Sequence, residues 1–178
     1  MACIKTLNKA IQYNCELGAV GLKELYLINF ADVTKMTVSF EDNIISAITL
    51  RAGAKTVPVD MVKNGAKVVE AMKATDVYNG IDQTLTITLY DKAVNGTLII
   101  DALMSGRFMA AVSYKDIKAG KNMLGALCGL EISDIQTDSS ANGGFTTITL
   151  KTPDDARGEK RTLLNLAPWN TIVNAKLT

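Results

Sequence analysis

The residues that could do chemistry in this chain are few, and none of them completes a known motif. Gly120-Lys121-Asn122 resembles part of a phosphate-binding loop. That loop needs Ser or Thr after the lysine and a glycine five residues before the Gly-Lys pair. Asn122 and Lys115 stand at those two positions, so the pattern favours a hairpin turn with solvated lysines.

Carboxylates and thiols are the remaining candidates for a site. Asp154, Asp155 and Glu159 could attract a cation, but they lack the ligand spacing of a calcium loop, so we predict a solvated loop. The sequence contains no histidine, which is the commonest general base and metal ligand. Cys15 and Cys128 therefore have no imidazole to activate them, and we expect buried, inert thiols. We predict no catalytic residue, no cofactor and no metal.

The composition is that of an ordinary globular domain. A hydrophobic fraction of 48% over 178 residues is enough for a substantial core. A net charge of +1 gives no reason to expect strong phosphate binding, and 6% aromatic residues argue against a base-stacking surface. We expect no membrane span, because no apolar run approaches about 20 residues. The lack of a signal-peptide pattern and three widely spaced cysteines indicate folding in a reducing cytoplasm.

The stretch from Thr84 to Cys128 organises the chain. Every second residue is apolar from Thr84 to Tyr90, which is typical of a half-buried strand. We predict a helix over about 92–105, then a strand over Arg107 to Tyr114, a turn, and a strand over Met123 to Cys128.

The predicted helix depends on apolar residues that cover about half of its circumference, namely Val94, Leu98, Ile99, Ala102 and Leu103. Asp91 could cap its start, and Gly106 could end it in a left-handed conformation. Asn95-Gly96 inside the helix costs about 1 kcal/mol relative to alanine. A hairpin that turns at Asn95-Gly96 is the alternative interpretation.

Short strands with turn signals between them make up the rest of the chain. We predict strands at 21–30, 36–40, 44–50, 66–75, 131–137 and 146–150, with an edge strand at Pro58. Asn64-Gly65 and Asn79-Gly80 predict hairpin turns. The last twenty residues are interpreted as a strand and a tail.

These elements predict one mainly-β domain over 1–178, a sandwich or barrel, with an N-terminal arm at about 1–21 and a C-terminal tail at about 163–178. Leu25 to Phe30 is apolar on both faces, so it needs cover on two sides. Either the helix or a neighbouring subunit can supply that cover, and an ordinary two-layer core remains the simplest explanation.

Several segments together carry a family resemblance. They are Met1-Ala2-Cys3, 21–33, 43–50, 83–87, 103–112, 124–131 and 144–150. In this order they resemble tail-tube-like virion proteins of Bacteroides-type tailed phages and prophages. The resemblance does not extend to the charged loop Pro153 to Arg161 or to the tail around Trp169.

The resemblance implies a tail-tube-like β-barrel or sandwich with one flanking helix. It also implies a non-enzymatic structural protein that forms homo-oligomeric rings, commonly of six subunits. The rings would stack in a phage tail as a tail tube or tail ring, and the genome would pass through without sequence-specific binding. Its partners would be itself and other tail or portal-proximal proteins, with no membrane. It would be located in the virion tail, and in the host cytoplasm during assembly.

Ring formation needs a head-to-tail contact between two different patches of the subunit. We predict contacts in the arm 1–21, the loop 51–56 and the loop Pro153 to Arg161. The residues concerned are Ile4, Leu7, Tyr13, Arg51, Lys55, Asp154, Asp155, Arg157 and Arg161. The alternatives are a head–tail connector ring, a capsid-associated virion protein, or a small-ligand-binding β-barrel or an enzyme.

Overall fold

The computed structural model describes residues 21–39, 41–60, 65–74, 79–90, 94–116, 120–138, 140 and 145–177. These residues form a mainly-β fold, as the sequence predicts. The strands are β1 (Leu22–Asn29), β2 (Val33–Val38), β3 (Ile44–Leu50), β4 (Val57–Pro58), β5 (Ala66–Ala74), β6 (Asn79–Leu89), β7 (Phe108–Tyr114), β8 (Lys121–Leu124), β9 (Glu131–Thr137), β10 (Thr146–Lys151) and β11 (Thr162–Leu164). The helices are α1 (Val94–Ser105) and α2 (Leu166–Asn174), with a 3₁₀ turn at Phe30–Asp32.

The strands form two sheets that pack as a sandwich. The seven-stranded sheet has the order β2-β3-β11-β8-β7-β1-β4, and the four-stranded sheet has the order β5-β6-β10-β9. The strand pairs are antiparallel except for β3 and β11. Alternation along β6 and β10 places Leu85, Ile87, Ile148 and Leu150 in the core between the sheets.

Strand β1 is covered on both faces, as its sequence predicts. Leu25 and Leu27 belong to the core between the two sheets, whereas Tyr26 and Ile28 belong to a second core on the opposite face. Trp169 of α2 lies in that second core, and its ring contacts Tyr26 edge to face at 5.6 Å between centroids. One chain therefore supplies both layers of cover, through the four-stranded sheet and α2.

The seven-stranded sheet coils around α2 without closing. Only Phe30–Asp32 connect β1 to β2, although these strands lie five places apart in the sheet. A flat sheet would separate them by about 24 Å, whereas four Cα steps span at most about 14 Å, so the sheet must curl. Strands β2 and β4 remain at its two edges. Of the two predicted architectures, the sandwich is therefore the one adopted, and the closed barrel is wrong.

Helix α1 confirms the predicted helix, and the alternative hairpin at Asn95-Gly96 is wrong. Gly96 is one of the two buried residues of the helix, with Leu103. A glycine therefore lies on the side that packs against the core. Gly106 does not have the left-handed conformation that the sequence predicted. A Cβ there would lie 2.4 Å from Cζ of Phe108, so the close approach of that ring explains the glycine.

The predicted C-terminal tail is wrong, because the chain forms α2 after β11. Pro168 lies in the first turn, where its missing N–H breaks no helical hydrogen bond. The predicted strand Met123 to Cys128 is displaced, since β8 covers Lys121–Leu124. Gly125 has φ of 65°, a left-handed conformation that ends the strand.

One hairpin prediction is wrong and one is confirmed in part. Asn64-Gly65 does not join a hairpin, because β4 and β5 belong to different sheets; Asn64 itself lies outside the described residues. Asn79 and Gly80 pair with Ala74 and Lys73 as the start of β6. They belong to the predicted β5–β6 hairpin, but as strand residues, and its connection lies in 75–78, outside the described residues.

Candidate subunit interface

The predicted interface residues contact different parts of the fold. Ile4, Leu7 and Tyr13 lie outside the described residues. Arg51 is exposed, and its guanidinium donates to the Ala31 carbonyl at 2.9 Å and lies 3.7 Å from the Asp32 carboxylate. Arg51 therefore fastens the loop after β3 to the 3₁₀ turn of the same chain. Lys55 is exposed in the same loop.

The charged loop Pro153 to Arg161 connects the two sheets, since it runs from β10 to β11. Asp154 is exposed and accepts a hydrogen bond from Lys151 at 2.8 Å, and this contact lowers the pKa of Asp154. Asp155 and Arg157 are exposed too. Arg161 extends its guanidinium to Glu70 of β5, with 2.7 Å between Nη2 and Oε2. Asp154 and Arg161 are thus predicted interface residues that contact the four-stranded sheet of their own chain, at β10 and β5 respectively.

Glu159 corrects the prediction that this loop is fully solvated. Its side chain is inaccessible to solvent, and its carboxylate accepts the N–H groups of Leu127 at 2.9 Å and Cys128 at 2.6 Å. The left-handed glycines Gly125 and Gly129 shape this backbone into a concave anion-binding turn. Burial raises the pKa of the Glu159 carboxyl above its ordinary 4.5, against the lowering effect of the backbone donors.

Glu159 thereby acts as a structural connection instead of a cation ligand. Its backbone also pairs with Ile81 of β6, with hydrogen bonds of 2.8 and 2.9 Å. In the part of the chain that the structure describes, no group of three or more Cys, Asp or Glu side chains is placed to hold a metal ion. Cys128 is half-buried, so the prediction of a buried thiol is wrong for it, but burial still raises the pKa of this thiol, which agrees with an unactivated cysteine; Cys15 lies outside the described residues.

A cleft of about 700 Å³ opens between the two sheets. Strands β5 and β6 form one wall, and β7, β8, β11 and the residue before β11 form the other; the lining residues are Val68, Glu70, Ile81, Tyr114, Asn122, Arg161 and Leu163. Asn122 donates to the Tyr114 hydroxyl at 3.3 Å, and burial raises the pKa of that phenol. The cleft thus combines apolar walls at Val68, Ile81 and Leu163 with polar groups, namely the Asn122–Tyr114 hydrogen bond and the Glu70–Arg161 ion pair.

Helix α1 covers the opposite side of the sandwich. It packs beside β9, and Leu103 enters the core between the sheets. Arg107, just after α1, donates to the Glu131 carboxylate at the start of β9 at 2.7 Å. Because β5 and β9 are the two edges of the four-stranded sheet, the cleft and the contacts of α1 with β9 lie at opposite edges of this sheet.

The edge of β5 offers a regular row of backbone groups. The Gly65 carbonyl accepts the Thr88 N–H at 2.8 Å, which identifies Gly65 and Thr88 as a hydrogen-bonded pair. Such pairs alternate along an antiparallel ladder, so the outward backbone groups belong to Ala66, Val68, Glu70, Met72 and Ala74. β5 has no bulge in its register with β6, whereas β9 has one at Ser133. Long regular edges of this kind are templates for pairing with another strand.

Exposed apolar residues are concentrated on α1. Val94 is 74% exposed, and Leu98 and Met104 are each 60% exposed. Val94, Leu98 and Ala102 recur every four residues, on the side of the helix opposite Gly96 and Leu103. A stripe of this kind marks an interaction surface when it is contiguous. Of the five apolar residues from which the helix was predicted, Leu103 is buried, whereas Val94, Leu98, Ile99 and Ala102 are exposed.

The outer face of the four-stranded sheet carries small hydroxyl side chains. Thr86 and Thr88 of β6 lie directly opposite Thr149 and Thr147 of β10, and Thr84 continues the row opposite Lys151. Lys73 and Lys151 lie 3.6 and 3.9 Å from the carboxylate of Asp82. This face is therefore polar, and its ion pairs balance lysine with aspartate.

Comparisons with known proteins do not assign the chain to a family. No protein-family model matches the sequence, and neither the curated proteins nor the solved structures include a match. Among the described residues, no helix has the length and apolar character needed to span a bilayer. The geometry of the two sheets, the cleft and α1 therefore remains as the basis for a function.

Proposed function

We propose that this chain is a structural virion protein that assembles with copies of itself into rings of a phage tail, as a tail tube or tail ring. The observation that carries this proposal is the position of the two edges of the four-stranded sheet. β5 and β9 lie on opposite sides of the subunit, and both are unpaired on their outer side within the described residues. Two different patches on opposite sides are what a head-to-tail ring requires.

Strand direction supports the same assembly. Consecutive strands of the sheet β5-β6-β10-β9 are antiparallel, so β5 and β9 run in opposite directions. If β5 of one copy pairs with β9 of the next, every contact around the ring is antiparallel. A closed sheet of this kind leaves no edge exposed, which removes the aggregation hazard of β5.

The dimensions of such a ring suit a DNA channel. Six copies with four strands each give a sheet of twenty-four strands. At about 4.8 Å per strand, the circumference is about 115 Å and the diameter about 37 Å, before strand tilt widens it. Side chains of about 5 Å on the inner face leave a channel of about 27 Å. This face would line it with the short hydroxyl groups of the threonines and with lysine and aspartate side chains that pair with one another, and none of these groups selects a particular base sequence.

The alternatives differ in symmetry and in partners. A head–tail connector ring or a capsid-associated ring could use the same strand edges with another number of copies, and would meet portal-proximal proteins in place of stacked rings. A small-ligand-binding barrel would need an enclosed apolar cavity. The cleft here lies beside an edge strand and contains the Glu70–Arg161 ion pair, so we favour assembly.

The experiment that tests the proposal blocks the β5 edge without altering its pairing with β6. Met72 is 77% exposed and directs its N–H to the free edge. Met72→Pro removes that donor and places the proline ring in the path of a pairing strand. Met72→Ala removes the same side chain but keeps the N–H, so it is the matched control. Light scattering over a range of concentrations and negative-stain images measure assembly.

We expect rings from the wild type and from Met72→Ala, and monomers from Met72→Pro with an unchanged circular dichroism spectrum. Ring symmetry in the images separates a tail tube from a connector. Wild-type protein that stays monomeric at every concentration would refute self-assembly, and rings from Met72→Pro would refute pairing through β5.

A further inference from the structure

The cleft of one copy and the exposed side of α1 of its neighbour would lie close together in the proposed ring. In the β5–β9 pairing proposed above, β9 of one copy lies against β5 of the next. Because α1 packs beside β9 and the cleft is lined by β5, the same contact turns α1 of one copy toward the cleft of its neighbour. Each subunit has α1 on its β9 side and an open cleft on its β5 side. The ring would place the β9 side of one copy against the β5 side of the next.

The two surfaces also match in apolar character. The outward side of α1 carries Val94, Leu98 and Ala102, and the cleft has apolar walls at Val68, Ile81 and Leu163. Exposed apolar surface costs about 25 cal/mol per Å² relative to burial, so both surfaces gain when they meet. The cleft holds about 700 Å³, which admits several side chains but not a helix about 10 Å across.

Opposite charges on the two surfaces would orient this contact. Asp101 is exposed on α1, adjacent to Leu98 and Ala102 on the outward side. Arg161 lies at the cleft with a side chain that is 65% exposed, and one of its nitrogens contacts Glu70. A guanidinium has five N–H donors, so Arg161 can donate to a second carboxylate as well as to Glu70. In the proposed contact, an apolar stripe with the Asp101 carboxylate therefore faces a cleft that has apolar walls at Val68, Ile81 and Leu163 and the accessible cation of Arg161.

We infer that α1 of one copy seats its outward side chains in the inter-sheet cleft of the next copy, with Asp101 paired to Arg161. This inference rests on the proposed ring assembly and adds to it a second contact, made by side chains in place of backbone groups. The strand edges set the register of the ring, and α1 closes the open side of each sandwich.

Photo-cross-linking tests the contact directly. Leu98 is replaced by p-benzoylphenylalanine, the assembled protein is irradiated, and the covalent dimer is quantified on a denaturing gel. Mass spectrometry then identifies the attached residue. Leu166 is the matched control position, because it is 65% exposed and also lies on a helix, but it belongs to α2 on the far face of the seven-stranded sheet.

We expect at least tenfold more dimer from position 98 than from position 166, with the cross-link on the cleft residues Val68, Ile81 or Leu163. Rings whose position 98 cross-links elsewhere, or no more than position 166, would overturn this inference and leave the ring proposal standing. Protein that forms no rings at all would refute the ring proposal, and this inference with it.

Charge reversal provides a second measurement. Asp101→Lys should raise the concentration needed for half-maximal assembly about tenfold, because it places a lysine against Arg161. Asp42→Lys makes the same change at an exposed turn between β2 and β3 and should have no effect. Equal assembly by the two variants would show that Asp101 does not face Arg161.

Discussion

Removal of the Glu159 carboxylate should destabilise the fold, although this residue lies in a loop. The carboxylate is inaccessible to solvent and accepts backbone N–H groups from Leu127 and Cys128. Glu159→Ala leaves these donors without their partner. Each buried donor without a partner costs about 1–3 kcal/mol, so for these two donors we expect a loss of about 2–6 kcal/mol in the free energy of unfolding. Glu159→Gln should lose less, about 1–2 kcal/mol, because its amide oxygen still accepts.

The pH dependence of the free energy of unfolding distinguishes a buried carboxyl group from an exposed one. Burial raises the folded-state pKa of Glu159 above the unfolded value of about 4.5. The folded state therefore binds the proton more tightly, and the stability contribution of this group is lost as pH rises from 4.5 through the folded pKa. The wild type should gain stability relative to Glu159→Gln when the pH falls from 7 toward 5.

Urea unfolding followed by circular dichroism at pH 5 and pH 7 measures both the loss of stability and its pH dependence. The urea concentration at the midpoint reports stability when the dependence of the unfolding free energy on urea concentration is unchanged. Glu131→Gln is the control, because Glu131 is a partly exposed carboxylate that pairs with Arg107, and such pairs contribute at most about 1 kcal/mol. Equal midpoints for Glu159→Gln and wild type at pH 7 would refute the proposed connection. A stability difference that shrinks as the pH falls would refute the raised pKa.

Three further substitutions test the packing. Trp169→Ala should cost about 3–5 kcal/mol, because its ring is 5% exposed and fills the space between α2 and the seven-stranded sheet. Gly129→Ala should cost about 1–3 kcal/mol, since φ is 74° and the new Cβ would lie 2.4 Å from Cγ of Arg107. Arg107→Ala should cost at most about 1 kcal/mol, because its ion pair is partly exposed. Thermal unfolding measures all three.

Local periodicity predicted the strands well. The alternation from Leu85 to Leu89 and from Thr146 to Leu150 sets which side chains face the core, and a strand's period is enough to specify that. Ala66–Ala74 was correctly assigned to a strand because it contains adjacent β-branched residues. The helix at Val94–Ser105 was also correct, but the sequence did not show which of its sides is exposed, because a helix that is apolar on several sides does not reveal which side meets the core.

Non-local contacts account for what the sequence could not predict. Asn64-Gly65 has the composition of a hairpin turn, yet the strands on either side of it belong to different sheets. No local sequence pattern indicates which sheet each strand joins. Glu159 lies in a loop of charged residues, and the composition of this loop predicts that the Glu159 side chain is exposed. Its burial results from the N–H groups of a turn about thirty residues earlier in the sequence. The cleft likewise exists because two sheets diverge at β5, which depends on the fold as a whole.

Some faces of the two sheets are already packed against other elements of the same chain, and this limits where a partner can bind. The coiled sheet already has α2 on one face and the four-stranded sheet on the other, so Leu25 to Ile28 need no neighbouring subunit. Within the described residues, the four-stranded sheet has two uncovered edges, β5 with its cleft and β9 with α1, and they lie on opposite sides of that sheet. A symmetric dimer would bury one of these sides twice and leave the other exposed. A head-to-tail ring buries both, and for this reason we favour a ring over a dimer.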